Sequence, residues 1–186
     1  MSIWDTVHNK LLTYEIHSAI WEMLHLNFYC GYREKILNYG PGHCKLCGNE
    51  ETGAHHIVVD CKVLIGCMDR FTTLLHNLRD IEMSRDELAF GIAGTDIQTL
   101  GRKDLIRNFI TFIIRTVVFK NRHKNYGSIQ SAINVLENKI RFKIRKVLRE
   151  KYTIFKHKYT VPKYIETYLI DNILGSVQGN ILDIYV

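Results

Sequence analysis

Three cysteines and one histidine follow one another at close spacing between residues 44 and 61. Two residues separate Cys44 from Cys47, eight separate Cys47 from His56, and four separate His56 from Cys61. A tight turn between two thiolates points both sulfurs at one ion, and three sulfurs with one imidazole make a tetrahedral set that suits Zn2+. The spacing therefore predicts a zinc knuckle with the ligands Cys44, Cys47, His56 and Cys61.

The identity of the histidine ligand is open at this point. His55 and His56 are adjacent and cannot easily reach the same ion. The four-residue gap back to the last cysteine is the common knuckle spacing, so we favour His56 and keep His55 as the alternative ligand. His43 and Cys67 are spare candidates. Four protein ligands would close the coordination sphere, which predicts a structural and not a catalytic metal.

The residues around the knuckle predict a mainly α-helical domain in which the knuckle is embedded. The segment from Cys44 to Cys61 is short, polar and rich in turn formers, and a metal would supply the stability that its few apolar residues cannot. The expected organisation is N-terminal helices over 1–42, the zinc knuckle over 43–62, a basic helical region over 63–160 and a tail over 161–186.

Apolar periodicity places the individual helices. It predicts two or three short helices within 3–37, a helix over 62–78, a loop over 91–101, and a helix with a broad buried face over 104–120. Ser128 is the expected N-cap of a long helix whose apolar stripe runs from Ile129 to Ile154. Val161-Pro162 should end that helix, because the residue before proline is pushed out of the α region. The tail is expected to hold a short helix followed by a strand or a free end.

Charge is distributed unevenly along the chain. The net charge is +6, but residues 102–158 hold 16 basic side chains against three acids, whereas the other 129 residues hold 9 basic and 16 acidic ones. Such an asymmetry predicts a face that binds a polyanion, most often nucleic acid or an anionic membrane surface. The candidate nucleic-acid-binding residues are Arg115, Lys120, Arg122, Lys124, Lys139, Arg141, Lys143, Arg145, Lys146, Arg149 and Lys151.

Several aromatic residues lie among these cations and are candidates for stacking on unpaired bases. They are Tyr126, Phe142, Tyr152, Phe155 and Tyr159. The alternative for each is a place in the core, which for Phe142 and Phe155 is as good an explanation as base stacking.

The expected location is intracellular, in the nucleus or the cytoplasm, and not secreted. The start of the chain lacks the positive region of a secretory signal. The most apolar run, from Phe109 to Phe119, contains Arg115 and is shorter than the roughly 20 residues that cross a bilayer. In a reducing compartment, clustered cysteines favour metal binding over disulfides. Neither a membrane nor a small-molecule substrate is expected as a partner.

The run from Cys44 to Cys61, with Gly48 and then Glu50, Glu51 and Thr52 inside it, resembles the zinc-binding segment near the C-terminus of reverse transcriptases from non-LTR (LINE-type) retrotransposons. The gap from Thr52 to His56 is one residue longer than the family pattern. The stretches Ile20 to His25, Leu88 to Ile92 and Arg107 to Arg122 are similar to the family's flanking helices, so the resemblance covers most of 15–150.

The resemblance implies a segment that grips template RNA and target DNA during target-primed reverse transcription. It also implies no catalysis by this chain, because the family's polymerase carries paired aspartates and this sequence has no Asp-Asp pair. A domesticated relic of such an element, with a protein partner for its basic face, is the first alternative. An HNH-type nuclease using His55 as general base or metal ligand is the second, although the glycine turn and the asparagine usual in that family are missing.

Overall fold

The structure, a computed structural model, describes residues 12–26, 28–78, 87, 101–158, 161–170, 173–179 and 181–186. The predicted apolar positions before Leu12, the loop over 91–100, the stretch Leu88 to Ile92 and Tyr159 lie outside these residues. Over the described ranges the chain is mainly helical, as the sequence predicts. None of the helices described there combines the length and the apolar character needed to cross a bilayer.

Over residues 12–26 and 28–42 the structure describes two helices, α1 (Tyr14–Leu24) and α2 (Gly31–Ile36). The buried residues of α1 recur at three- and four-residue spacing, from Ile16 to Met23, so one face of this helix joins the core. Trp21 lies off that face, is 53% exposed, and contacts the ring of His25 at 4.2 Å.

The region after the knuckle differs from the prediction of one helix over 62–78. A π-helical turn (His56–Asp60) leads into α3 (Lys62–Arg70), and a separate helix, α4 (Thr72–Leu78), follows Phe71. The side chain of Phe71 is 1% exposed, so the break turns this ring into the core.

Helix α5 (Arg102–Lys120) is the centre of the domain. Every residue from Ile106 to Thr116 is buried, which confirms the predicted broad buried face and extends it around the helix. Helix α5 packs against α1, α3 and α4, and against the long helix α6 (Ile129–Lys158). A helix buried on all sides holds the elements around it in fixed positions.

Helix α6 begins as predicted. Ser128 caps it, since its Oγ accepts the backbone N–H of Ser131 at 3.1 Å. The predicted stripe is buried from Ile133 to Val147, but Ile154 is 47% exposed. The buried face rotates to Leu148 and Tyr152 in this part of α6, because the tail packs there.

The tail folds against the second half of α6. Helix α7 (Val161–Tyr164) is followed by a π-helical turn (Ile165–Leu169) and an antiparallel hairpin of β1 (Gly175–Gln178) and β2 (Ile181–Ile184). Pro162 thus starts a new helix, where its missing N–H costs little. The Tyr164 hydroxyl donates to the Leu148 carbonyl at 2.9 Å, which fastens the tail to α6.

Candidate metal centre and basic surfaces

The first half of the knuckle is a tight turn that brings two cysteines together. The N–H of Gly48 donates to the Cys44 carbonyl at 2.8 Å, and the N–H of Cys44 donates to the Asn49 carbonyl at 2.8 Å. Gly48 has a φ of 74°, a value that glycine adopts without strain. An antiparallel bridge between His43 and Glu50 closes the turn behind it. The turn therefore exists because of the residues Cys44 to Glu50 themselves.

The second half of the knuckle comes from the π-helical turn and the start of α3. The N–H of Cys61 donates to the His56 carbonyl at 2.8 Å, and Cys61 directly precedes the first residue of α3. The backbone of this turn places the His56 ring and the Cys61 sulfur on the side that faces the first turn. Both residues are buried.

The four predicted ligands meet at one point. The Sγ atoms of Cys44 and Cys61 lie 3.9 Å apart, and Cys47 Sγ lies 3.3 Å from His56 Nε2. All four ligand atoms lie within 4.8 Å of one another, and all four residues are buried. Sulfurs on a tetrahedral zinc, each about 2.3 Å from the ion, lie about 3.8 Å apart, so the spacing fits such a metal.

The structure chooses between the two histidines. The imidazole of His56 is in the cluster, whereas the His55 side chain is 54% exposed and its Nε2 lies 3.5 Å from Asp60 Oδ2. The spare candidates also lie apart from the cluster: His43 is exposed, and Cys67 is buried within α3. Burial raises the pKa of the Cys67 thiol to about 12, so this cysteine is a protonated core residue.

The electrostatics of the cluster favour a cation at its centre. The neighbouring sulfurs of Cys47 and Cys61, together with burial, raise the pKa of Cys44. The sulfurs of Cys44 and Cys47 raise the pKa of His56 to about 10. Three buried thiolates this close together repel one another unless a positive ion lies between them. A divalent metal supplies that charge and allows all three to ionise.

Glu51 joins the knuckle to α2, a role that the sequence analysis missed. Its side chain is 4% exposed, and its Oε2 accepts the backbone N–H of Tyr32 at 2.9 Å. At the same junction, a Cβ added to Gly31 would come within 2.6 Å of the His43 carbonyl oxygen, so only glycine fits there. The only signal in the sequence was an acidic residue inside a turn-rich segment.

Arg115, a predicted nucleic-acid-binding residue, lacks the surface exposure that this role requires. It lies in the middle of α5, is 1% exposed, and burial lowers the pKa of its guanidinium to about 10. Arg122 is held in place by its neighbours: its guanidinium stacks on Phe119 at 4.0 Å and donates to the carbonyls of Tyr29 and Phe119. Both arginines therefore belong to the packing of the domain.

A second group of predicted cations is held by contacts with other side chains, some on a different element and one on the same helix. Lys120 and Lys143 both contact Glu15 of α1, and Lys120 Nζ lies 2.7 Å from Glu15 Oε1. Lys139 donates to Asn121 Oδ1 at 2.9 Å and to the Tyr126 hydroxyl at 3.3 Å. Arg141 donates to Glu137 Oε1 at 2.9 Å. The carboxylates of Glu15 and Glu137 reduce the positive charge that is free to meet a polyanion, whereas the partners of Lys139 are neutral and leave its charge in place.

The remaining predicted cations face outwards or are partly covered. Lys124, Arg145, Lys146 and Arg149 are exposed, and Lys151 is half-buried. Arg145 Nε donates to the Val186 carbonyl at 2.6 Å, and Lys146 lies 3.9 Å from Glu150, a weak surface pair. The predicted basic surface is therefore concentrated on the second half of α6.

Comparisons with known proteins provide no relative for this chain: no protein-family model matches it, and neither does any curated protein or solved structure. The resemblance to non-LTR reverse transcriptases stays a prediction based on the motif residues. What the structure adds is the geometry of the buried Cys3His cluster and the location of the basic side chains.

Proposed function

We propose that this chain is a zinc-stabilised domain that binds nucleic acid without catalysing a reaction. In this proposal it acts like the C-terminal segment of non-LTR reverse transcriptases, which its zinc run resembles. The partner is RNA, with target DNA as a second ligand in the same element.

The donor set supports zinc as the metal. Three thiolates and one imidazole are soft or borderline donors, which select Zn2+ over the oxygen-preferring Mg2+ and Ca2+. Four protein ligands leave no open position for a substrate, which supports a structural role. Zinc, when bound, holds the turn at Cys44 and the π-helical turn at His56 together. The hydrogen bond from the Tyr32 N–H to Glu51 connects this knuckle to α2.

The observation that carries the proposal is the basic outward face of α6. Exposed cations recur along its second half at Arg145, Lys146, Arg149 and Lys156, and Glu150 is the one acid in this stretch of sequence. A helix rises about 1.5 Å per residue, so these four side chains span roughly 16 Å of a rigid element. An ordinary exposed helix mixes both signs of charge, whereas this arrangement suits a row of phosphates.

Salt dependence is the direct test. About four or five phosphate contacts give a log–log slope of about −3 to −4. We expect submicromolar binding of the zinc-loaded chain to single-stranded RNA at low salt, measured by fluorescence anisotropy at several salt concentrations. Arg149→Ala should reduce the slope by about 0.7 to 0.9. Lys35→Ala is the matched control, because Lys35 is an exposed cation on α2 that already pairs with Glu50. Absence of binding at low salt would refute the proposal.

A further inference from the structure

An open groove of about 410 Å3 lies where the end of α5 meets the middle of α6. Its lining includes Val117 and Lys120 from α5 and Lys139, Phe142 and Lys143 from α6. Glu15 of α1 also lines it. The groove is thus separate from the metal cluster and from the basic second half of α6.

Phe142 is the aromatic residue that this groove presents to solvent. Its side chain is 68% exposed, although phenylalanine is normally buried. The other described aromatics that were candidates for base stacking have partners: Tyr126 donates to Asn121, and both Tyr152 and Phe155 contact Tyr164 at ring distances of 5.1 and 6.0 Å. Among the members of the predicted set that the structure describes, Phe142 is therefore the one whose ring is most open to a ligand.

The lysines around the ring already bind an anion. Glu15 accepts hydrogen bonds from Lys120 and Lys143, one through each carboxylate oxygen. These two contacts lower the pKa of Glu15 to about 2. Lys139 also lines the groove, and its hydrogen-bond partners Asn121 and Tyr126 are neutral, so the groove keeps an excess of positive charge after this internal pairing. A carboxylate held by two ammonium groups occupies the kind of position in which a phosphate binds.

We propose that this groove binds one unpaired nucleotide of a single-stranded nucleic acid, with its base stacked on Phe142 and its phosphate held by Lys120, Lys139 and Lys143. This inference rests on the nucleic-acid-binding function proposed above and names the substrate class. The base of a paired nucleotide is covered by its neighbours and cannot stack on the ring. An acidic peptide would use the lysines but would offer no flat surface to Phe142. Glu15 competes with the phosphate for two of the three lysines.

The first experiment separates the base from the backbone. The zinc-loaded chain is titrated with a 12-residue oligouridine, with the same length of abasic oligonucleotide, and with a 12-base-pair duplex. Phe142→Ala should weaken oligouridine binding by about 5- to 150-fold, the range expected for loss of one stacked base. Binding of the abasic strand and of the duplex should stay within about twofold, and Phe142→Tyr should keep the affinity for oligouridine.

Ile154→Ala is the matched control, because Ile154 is an exposed apolar residue on the same helix. It should leave all three affinities unchanged. Thermal unfolding of each variant shows that the fold is kept.

The second experiment removes the competing carboxylate. Glu15→Gln should tighten oligouridine binding and make the log–log salt slope steeper by about 0.7, the value for one more phosphate contact on a single strand. Glu166→Gln is the control, because Glu166 pairs with Arg102 away from the groove. An unchanged slope in Glu15→Gln would contradict the role assigned to the lysines.

The two proposals fail in different ways. If the wild-type chain binds oligouridine and Phe142→Ala binds it equally well, the groove is not a base site and the nucleic-acid-binding function stands. If Phe142→Ala loses the same affinity for oligouridine, the abasic strand and the duplex, the proposed contact between the base and Phe142 is also overturned. Binding of none of them overturns both proposals. Displacement of oligouridine by oligoglutamate of equal length, at equal concentration, would assign the groove to an acidic protein.

Discussion

Cys47 Sγ lies 3.3 Å from His56 Nε2, although eight residues separate them along the chain. The chain returns before the π-helical turn at His56–Asp60 begins, since the N–H of Glu51 donates to the Gly42 carbonyl at 2.9 Å and the N–H of His56 donates to the Gly53 carbonyl at 3.1 Å. The neighbouring His55 lies outside the cluster. One peptide bond thus separates a member of the buried cluster, His56, from a surface residue, His55.

This difference predicts opposite effects of two adjacent substitutions. His56→Ala should release about one zinc per chain and destabilise the fold by at least about 3 kcal/mol, because a structural metal contributes directly to folding. His55→Ala should keep the zinc and change stability by no more than about 0.5 kcal/mol. Metal analysis of the purified proteins and chemical denaturation measure both quantities. Zinc retained in full by His56→Ala and lost from His55→Ala would reverse the ligand assignment.

The buried carboxylate of Glu51 predicts a second pair of contrasting variants. Glu51→Ala should cost about 1–3 kcal/mol, because the partly buried N–H of Tyr32 loses its acceptor. Glu50→Ala should cost less than about 1 kcal/mol, since Glu50 forms an exposed pair with Lys35. Urea denaturation of the zinc-loaded proteins gives both values. Similar costs for the two variants would show that Glu51 does not anchor the knuckle.

Substitution of Arg115 should change the stability of the fold, whereas substitution of Arg149 should change the affinity for RNA. Arg115→Ala removes a buried side chain from α5, so the free energy of unfolding should fall by about 2–4 kcal/mol, while the folded protein binds RNA as before. Arg149→Ala should leave stability within about 0.5 kcal/mol and weaken RNA binding. Denaturation and anisotropy on the same samples test this. A lower salt slope in folded Arg115→Ala would return Arg115 to the binding surface.

Glu15 predicts a pH dependence. Hydrogen bonds from Lys120 and Lys143 lower its pKa to about 2 from the ordinary 4.5. A carboxyl group with a lowered folded pKa stabilises the fold fully above about pH 4.5, and this contribution is lost as the pH falls towards 2. The stability difference between wild type and Glu15→Gln should therefore shrink over that window, and zinc loss at low pH cancels because both proteins share it.

NMR titration of the Glu15 carboxyl carbon gives an independent measurement. We expect a midpoint near 2 in the wild type and a higher one in Lys143→Met, because one of the two donors is gone. A midpoint near 4.5 in the wild type would show that the lysines do not hold this carboxylate in solution.

The sequence predicted the local features well. The Ser128 cap, the broad burial of α5 and the meeting of Cys44, Cys47, His56 and Cys61 all depend on residues close together in the chain. Capping, periodicity and ligand spacing are short-range properties, so a single sequence carries them. The break at Phe71 was missed because both helices continue the same apolar pattern.

The basic surface was predicted less well, for a physical reason. Residues 102–158 contain few acids, but Glu15 lies 105 positions from Lys120 and 128 from Lys143 and still contacts both. A count of charges along the chain cannot include a partner that only folding supplies. The prediction that Arg115 is exposed failed for the same reason. An arginine in an apolar helix is expected at the surface, and only the packing of neighbouring elements shows that this one is buried.

The sequence by itself determined that this protein is mainly helical and carries four residues that could bind a metal, because the ligand spacing and the helix signals are encoded within short stretches. Only the tertiary structure decided which histidine faces the cluster, which cations are buried or paired, and that Phe142 opens into a groove. These depend on packing between distant segments, where burial and electrostatic pairing are set by the neighbours that the fold supplies.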